Sequence, residues 1–215
     1  MTRSAPALAL VAALGAVSLA GCGEPAYQYP HDDVEGVYFK VPHSWTVFDR
    51  TDEFYDGRID ASTYAQPVRV WTIDASDDPA PDAVDIVDGD VPVGTAQILA
   101  LTPSLGEQMS VAYLRSIGFD FDPVNPPVDV QDTWEVAIDQ PLRTDDGLSG
   151  SVAVFNHRDS IDDPWLSQAR LVFVDPTSPK GQPRAYALDI YCSAECFDAY
   201  RDEIFSVLDS WRIDL

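Results

Sequence analysis

The chain has 215 residues, 46% of them hydrophobic and 11% aromatic, which is enough for a packed core and argues against low-complexity disorder. It carries 36 acidic against 13 basic residues, a net charge of −23. Such a field repels phosphate backbones and anionic headgroups, so nucleic-acid binding is excluded; it suits solubility or a salty habitat, or else attraction of cations or a basic partner.

The first 22 residues read as an address. Arg3 gives a cationic start, Ala5 to Leu19 is a run of small and apolar residues, and Leu19-Ala20-Gly21-Cys22 reads as a lipobox. The run is about 15 residues, short of the ~20 that a stable membrane-spanning helix needs. A plain signal peptide with a chance cysteine, or a spanning helix, are the alternatives. On the lipobox reading residues 1–21 are a signal peptide, Cys22 carries lipid, and the remaining 194 residues work on the outer face of a bacterial membrane. The partners expected there are the membrane itself, through the N-terminal lipid, and another envelope protein or a small ligand; no cofactor is implied.

Residues 22–35 follow as lipidated cysteine and tether, and residues 36–215 as one domain. The tether, Gly23 to Asp33, would reach at most ~36 Å. Tyr27 and Tyr29 lie outside the predicted fold and suit the membrane interface, where amphipathic rings settle. Gly36 to Pro42 reads as a strand, His43-Ser44 as a turn and Trp45 to Phe48 as the return of a hairpin. Arg58 to Tyr64 is a weak strand and Val68 to Ile73 a good one.

Asp74 to Asp90 is an acidic loop rich in proline and alanine, and Thr95 to Leu101 an apolar run of undecided type. Ser104-Leu105-Gly106-Glu107 reads as a capping box. Leu105, Met109, Ala112, Tyr113 and Ile117 then predict one helix face, closed by Gly118. After an exposed connection over 120–127 come four strands: Thr133 to Ile138, Leu148 to His157, Ala169 to Val174 and Arg184 to Tyr191. Phe197 to Trp211 predicts a terminal helix with Phe197, Tyr200, Ile204, Leu208 and Trp211 on one stripe, and Arg212-Ile213-Asp214 a short last strand.

Strands in hairpins, with one helix mid-chain and one at the end, predict an α+β domain: a central antiparallel sheet of about six or seven strands flanked by helices. The opening Gly36-Val37-Tyr38-Phe39-Lys40-Val41-Pro42-His43-Ser44-Trp45, and the closing Val207-Leu208-Asp209-Ser210-Trp211-Arg212-Ile213, resemble PsbP/Mog1-like domains, which include small lipoproteins of actinobacterial type. The resemblance covers about 36–215 and implies an α/β/α sandwich with a non-catalytic interaction or assembly role. It supplies no catalytic set, and the acidic loop over 74–90 departs from it.

Cys192 and Cys196 are separated by Ser-Ala-Glu. In an exported protein an even pair reads as a disulfide, with free thiols or a metal site as alternatives. A cation loop could be built from Asp74, Asp77, Asp78, Asp82, Asp85, Asp88 and Asp90, against the plainer reading of a solvated acidic loop. No EF-hand fits: placing Gly89 or Gly147 sixth puts Val84 or Leu142 first. A serine-hydrolase elbow is also missing, since Gly147-Leu148-Ser149-Gly150-Ser151 lacks its last glycine, and His157 with Asp159 and Ser160 is only a local cluster. The sequence therefore predicts a membrane-anchored, non-catalytic binding or assembly module. An envelope hydrolase centred near His157, or a cation-responsive acidic surface protein, are the alternatives.

Overall fold

The computed structural model describes residues 25–55, 65–82 and 89–214. The signal segment, Cys22, the weak strand over 58–64, Asp85 and Asp88 lie outside the described residues. Seven antiparallel strands make the central sheet: β5 (Thr46–Asp49), β6 (Ala65–Asp74), β7 (Val93–Leu101), β8 (Trp134–Arg143), β9 (Ser149–His157), β10 (Leu166–Asp175) and β11 (Arg184–Ser193). Their order is β5-β6-β7-β11-β10-β9-β8, so each hairpin-connected neighbour pairs and β7 meets β11 across the middle. The undecided run over 95–101 is thus a central strand. The fold is α+β, as the element order predicts.

Alternation along these strands divides the core in two. On one face Trp71, Ile73, Ile98, Leu171, Phe173, Leu188 and Ile190 meet the terminal helices, α4 (Ala194–Ala199) and α5 (Arg201–Ser210), through Phe197, Ile204, Val207 and Leu208. On the other face Leu101, Val172, Val174 and Ala185 meet α2 (Pro103–Gln108) and α3 (Val111–Arg115) through Leu105 and Leu114. Ser193 caps α4, and the Cys192–Cys196 disulfide bridges the end of β11 and the first turn of that helix across a Cα–Cα distance of 5.9 Å.

Both predicted helices are broken in two. Thr102, not Ser104, caps the first one, because Pro103 has no N–H to offer and its fixed φ suits the first helical position. Ser110 then caps α3 afresh by accepting from the Tyr113 N–H. The restart resets the helical phase, so Leu114 is buried while Tyr113 and Ile117, placed on the predicted stripe, are exposed. Gly118, at φ +88°, still ends the segment. The terminal helix breaks at Tyr200, whose backbone leaves the helical region, but its apolar stripe holds on both sides.

The N-terminal segment corrects the sequence reading more deeply. The predicted tether is folded from Tyr27 onward. β1 (Tyr27–Gln28) pairs with β4 (Val41–Pro42), and β2 (His31–Asp32) pairs with β3 (Val37–Tyr38). β3 in turn pairs with β12 (Arg212–Ile213), at the far end of the chain. The expected hairpin across His43-Ser44 does not form, because β4 pairs with β1 while β5 leaves for the main sheet. Tyr27 is half-buried with the Lys40 ammonium 4.6 Å from its ring centre; Tyr29 is exposed.

The side chains of Phe39, Asp32 and Glu35 fasten this segment. Phe39 stacks on Trp211 at 5.1 Å between ring centres and meets Trp71 edge-on at 5.5 Å. The Asp32 carboxylate accepts the Val34 and Glu35 N–H groups and pairs with Arg69 at 2.7 Å. The Glu35 carboxylate receives Arg184 Nε at 2.9 Å and Nη2 at 3.2 Å, with both residues buried. Removing one partner of a buried ion pair leaves the other desolvated and uncompensated, at a cost of about 3–5 kcal/mol, whereas replacing both with apolar groups is often neutral. Glu35→Ala should lower unfolding stability by about that amount in urea titrations, and Glu35→Leu with Arg184→Met should recover most of it. A loss below about 1 kcal/mol for Glu35→Ala would show that the pair does not hold this segment.

Candidate functional site

The helices cover the two sheet faces unequally. α2 and α3 lie over one end of their face, across Val172, Val174, Ala185 and Leu101. Toward the other end the same face turns polar on three neighbouring strands. Register sets Thr95 of β7 beside Asp189 of β11, and Asp189 beside Arg170 of β10. One row further on, Val93, Tyr191 and Gln168 are aligned the same way. Here a cleft of about 300 Å³ opens, with Leu99, Leu114 and Ile117 as an apolar wall and Gln97, Gln168, Arg170 and Asp189 as a polar one.

The polar wall is held rigidly. Arg170 is 8% exposed. Its Nε donates to Asp189 Oδ1, its Nη1 donates to the carbonyls of Arg115, the last residue of α3, and Ile117 just beyond it, and its guanidinium lies 5.1 Å from the Phe119 ring centre. Gln168 Nε2 donates to the same Asp189 Oδ1 at 2.8 Å. All three side chains are therefore fixed before anything binds. The lining holds no histidine or cysteine; its hydroxyls are Thr95 and Tyr191.

Arg115 builds the neighbouring shelf. It reaches Asp122 at 2.7 Å and Asp139 at 3.2 Å, and also donates to Ser151 Oγ. Burial pushes the Asp122 carboxyl up, but hydrogen bonds from Arg115 and the Val124 N–H outweigh it and hold the group below the ordinary carboxylate range. The predicted exposed connection over 120–127 is thus partly pinned to the domain.

The sequence-predicted site residues fall elsewhere. His157 stacks on Trp134 at 5.2 Å and lies 6.1 Å from both Phe119 and Phe155. It is an edge of an aromatic cluster, and no hydroxyl or carboxylate is hydrogen-bonded to it among the described residues. Asp77, Asp78, Asp82 and Asp90 are exposed. Asp74 is buried instead, and spends its two oxygens on the Ser76 and Ala80 N–H groups. Among the described residues no three His, Cys, Asp or Glu side chains come together to hold a metal. The cleft itself escaped the sequence reading. Its signal is the switch from Leu99, Val172 and Ala185 to Thr95, Arg170 and Asp189 on one face, which becomes visible only once the strand register is known.

No family model matches the chain, and no curated protein matches it in sequence. Solved structures to which the chain is similar include the following two. One is LpqN, involved in cell envelope biogenesis of Mycobacterium tuberculosis, at 15% identity and a TM-score of 0.48, over 88% of this chain and 91% of that one. The other is the cyanobacterial PsbP, CyanoP, of Synechocystis sp. PCC 6803, at 14% identity and a TM-score of 0.45, over 92% of this chain and 98% of that one.

Burial among these rings disfavours the charged imidazole of His157 and lowers its pKa from 6.5, with the Asp159 charge opposing. The folded state then binds fewer protons than the unfolded chain below pH 6.5, so His157 destabilises progressively as pH falls through that value. Asp32 and Asp122, whose carboxyls are held below 3.8, cost stability only in more acid solution. Denaturant melts at pH 7.5 and 5.5 should show a loss in the wild type that His157→Phe reduces. An equal loss in the variant would place the sensitive group elsewhere.

Proposed function

We propose that the chain is an acylated, extracytoplasmic, non-catalytic binding module, fixed to the membrane through Cys22 and offering the Arg170–Asp189 cleft to a small ligand or envelope partner. The cysteine set carries this reading. Cys22 follows Leu19-Ala20-Gly21, and the two remaining cysteines, Cys192 and Cys196, are joined as a disulfide. Such bonds persist in exported proteins and are rare in the cytosol. Among the described residues no helix is long and apolar enough to cross a membrane.

The short lead gives the module an orientation. Five residue steps separate Cys22 from Tyr27 and span at most about 18 Å. β1 and β3 lie on the α5 face of the sheet, where Val37, Phe39 and Val41 join that core. A groove opens on this side, lined by Tyr29, Tyr38, Lys40 and Arg212 together with Asp202 and Asp209. Its tyrosines suit the headgroup level, while its two cations are balanced by two carboxylates. The cleft occupies the opposite face of the sheet and is turned away from the bilayer.

Mass spectrometry of the protein purified from membranes should find an N-terminal diacyl or triacyl Cys22, and Cys22→Ala should release the chain from the membrane fraction. An intact leader, or an unmodified Cys22 thiol on a cytosolic product, would contradict the proposal.

A further inference from the structure

The cleft's spare valences point to a ligand class, and we infer that it binds a vicinal diol of a neutral sugar or polyol. This rests on the cleft being the module's binding site, and not on the lipid anchor.

Hydrogen-bond accounting across the polar wall leaves specific atoms free. Asp189 Oδ1 takes both protein donors, from Arg170 Nε and Gln168 Nε2. Asp189 Oδ2, Gln168 Oε1 and Arg170 Nη2 have no hydrogen-bond partner among the described residues, and none of them is a buried orphan, so they are open to solvent. Thr95 and Gln97 add side chains on the same face that have no hydrogen-bond partner among the described residues. A rigid acceptor on Asp189 thus stands on the same ion pair as a rigid donor on Arg170.

Charge narrows the choice. An anion would be drawn to Arg170 but would meet Asp189 beside it, within a chain of net charge −23. A cation would be drawn by Asp189 and by the chain's net charge but would meet the Arg170 guanidinium beside that carboxylate. A hydroxyl both donates and accepts, so two adjacent hydroxyls can satisfy Asp189 Oδ2 and Arg170 Nη2 together with no net charge buried. Leu99, Leu114 and Ile117 face this wall and suit the C–H side of a pyranose or cyclitol ring. The volume, about 300 Å³, is at the lower end of small-ligand sites.

The full chain, in a detergent without a sugar headgroup, should be titrated by amide NMR with maltose, with myo-inositol, with glucuronate and with an N-acetylated dipeptide amide. The expected result is saturable millimolar shifts at Thr95, Gln97, Gln168, Arg170 and Asp189 for a neutral hydroxylated probe, with the sugar and cyclitol arms separating those two sources. Asp189→Asn, which keeps shape while turning an acceptor into a donor, should weaken binding about tenfold. Gln97→Ala lies outside the ion-pair network and should also weaken it with the fold intact. Glucuronate binding as tightly as the neutral probes, or affinity unchanged in both variants, overturns the diol assignment. Shifts from the dipeptide alone overturn it too, while leaving the cleft as a binding site. Cleft amides unmoved by every probe overturn both.

Discussion

A carboxylate at residue 35 and a guanidinium at residue 184 meet inside this protein, 149 positions apart in the chain, and the N-terminal architecture depends on that closure. The segment around Glu35 has little regular structure of its own, since its strands are two residues long. Isolated pairs that short have no independent stability in water. They persist because the segment is tied down by Glu35 on the β10–β11 hairpin, by Asp32 on Arg69 of β6, and by Phe39 between Trp71 and Trp211. Gly36 shows how tight the closure is. It sits at φ +68°, and a Cβ there would run into the Asp214 carbonyl. The Asp214 N–H donates to the Gly36 carbonyl at 2.8 Å, so chain beginning and chain end share one ladder.

This closure divides the labour of the sheet. One face is spent on cohesion: the N-terminal segment, α4 and α5 bury it with large aromatic and branched side chains. The other face is covered over part of its length, and the uncovered part carries Arg170 and Asp189. A buried ion pair adds little over an apolar pair of the same volume, because desolvation offsets most of its Coulomb gain, but losing one partner strands the other. The two pairs differ in what they leave over. Glu35 uses both oxygens on Arg184, whereas Asp189 keeps one oxygen unspent. The first pair is a clasp; the second is a preorganised surface.

Much of the main sheet was legible from residue patterns. β9, β10 and β11 stand out as β-rich runs between turn signals such as Asp145-Asp146-Gly147, and Gly147 does take φ +91° there. The terminal stripe was legible because apolar residues keep helical spacing even across the break at Tyr200. The N-terminal pairing was not. No local pattern reveals that Val37 will pair with Ile213, and a polar, proline-containing lead reads as linker by composition alone. The start of α2 is displaced because two overlapping cap signals, Thr102-Pro103 and Ser104 to Glu107, compete and proline geometry decides; the break at Ser110 comes from its side chain, which caps α3 afresh inside an apolar spacing that reads as continuous. The cleft required register among three strands, which periodicity cannot supply.

The central claim is that residues 27–42 belong to the folded unit and are not a tether. Native-state hydrogen exchange at the Phe39 and Asp214 amides, which donate to Pro30 and Gly36, tests it most directly against the Leu171 and Ile190 amides of the sheet core. The account predicts that both sets exchange through the same global opening, with matching free energies and matching denaturant dependence. Exchange at Phe39 and Asp214 through a much cheaper local opening, with the sheet still protected, would contradict it.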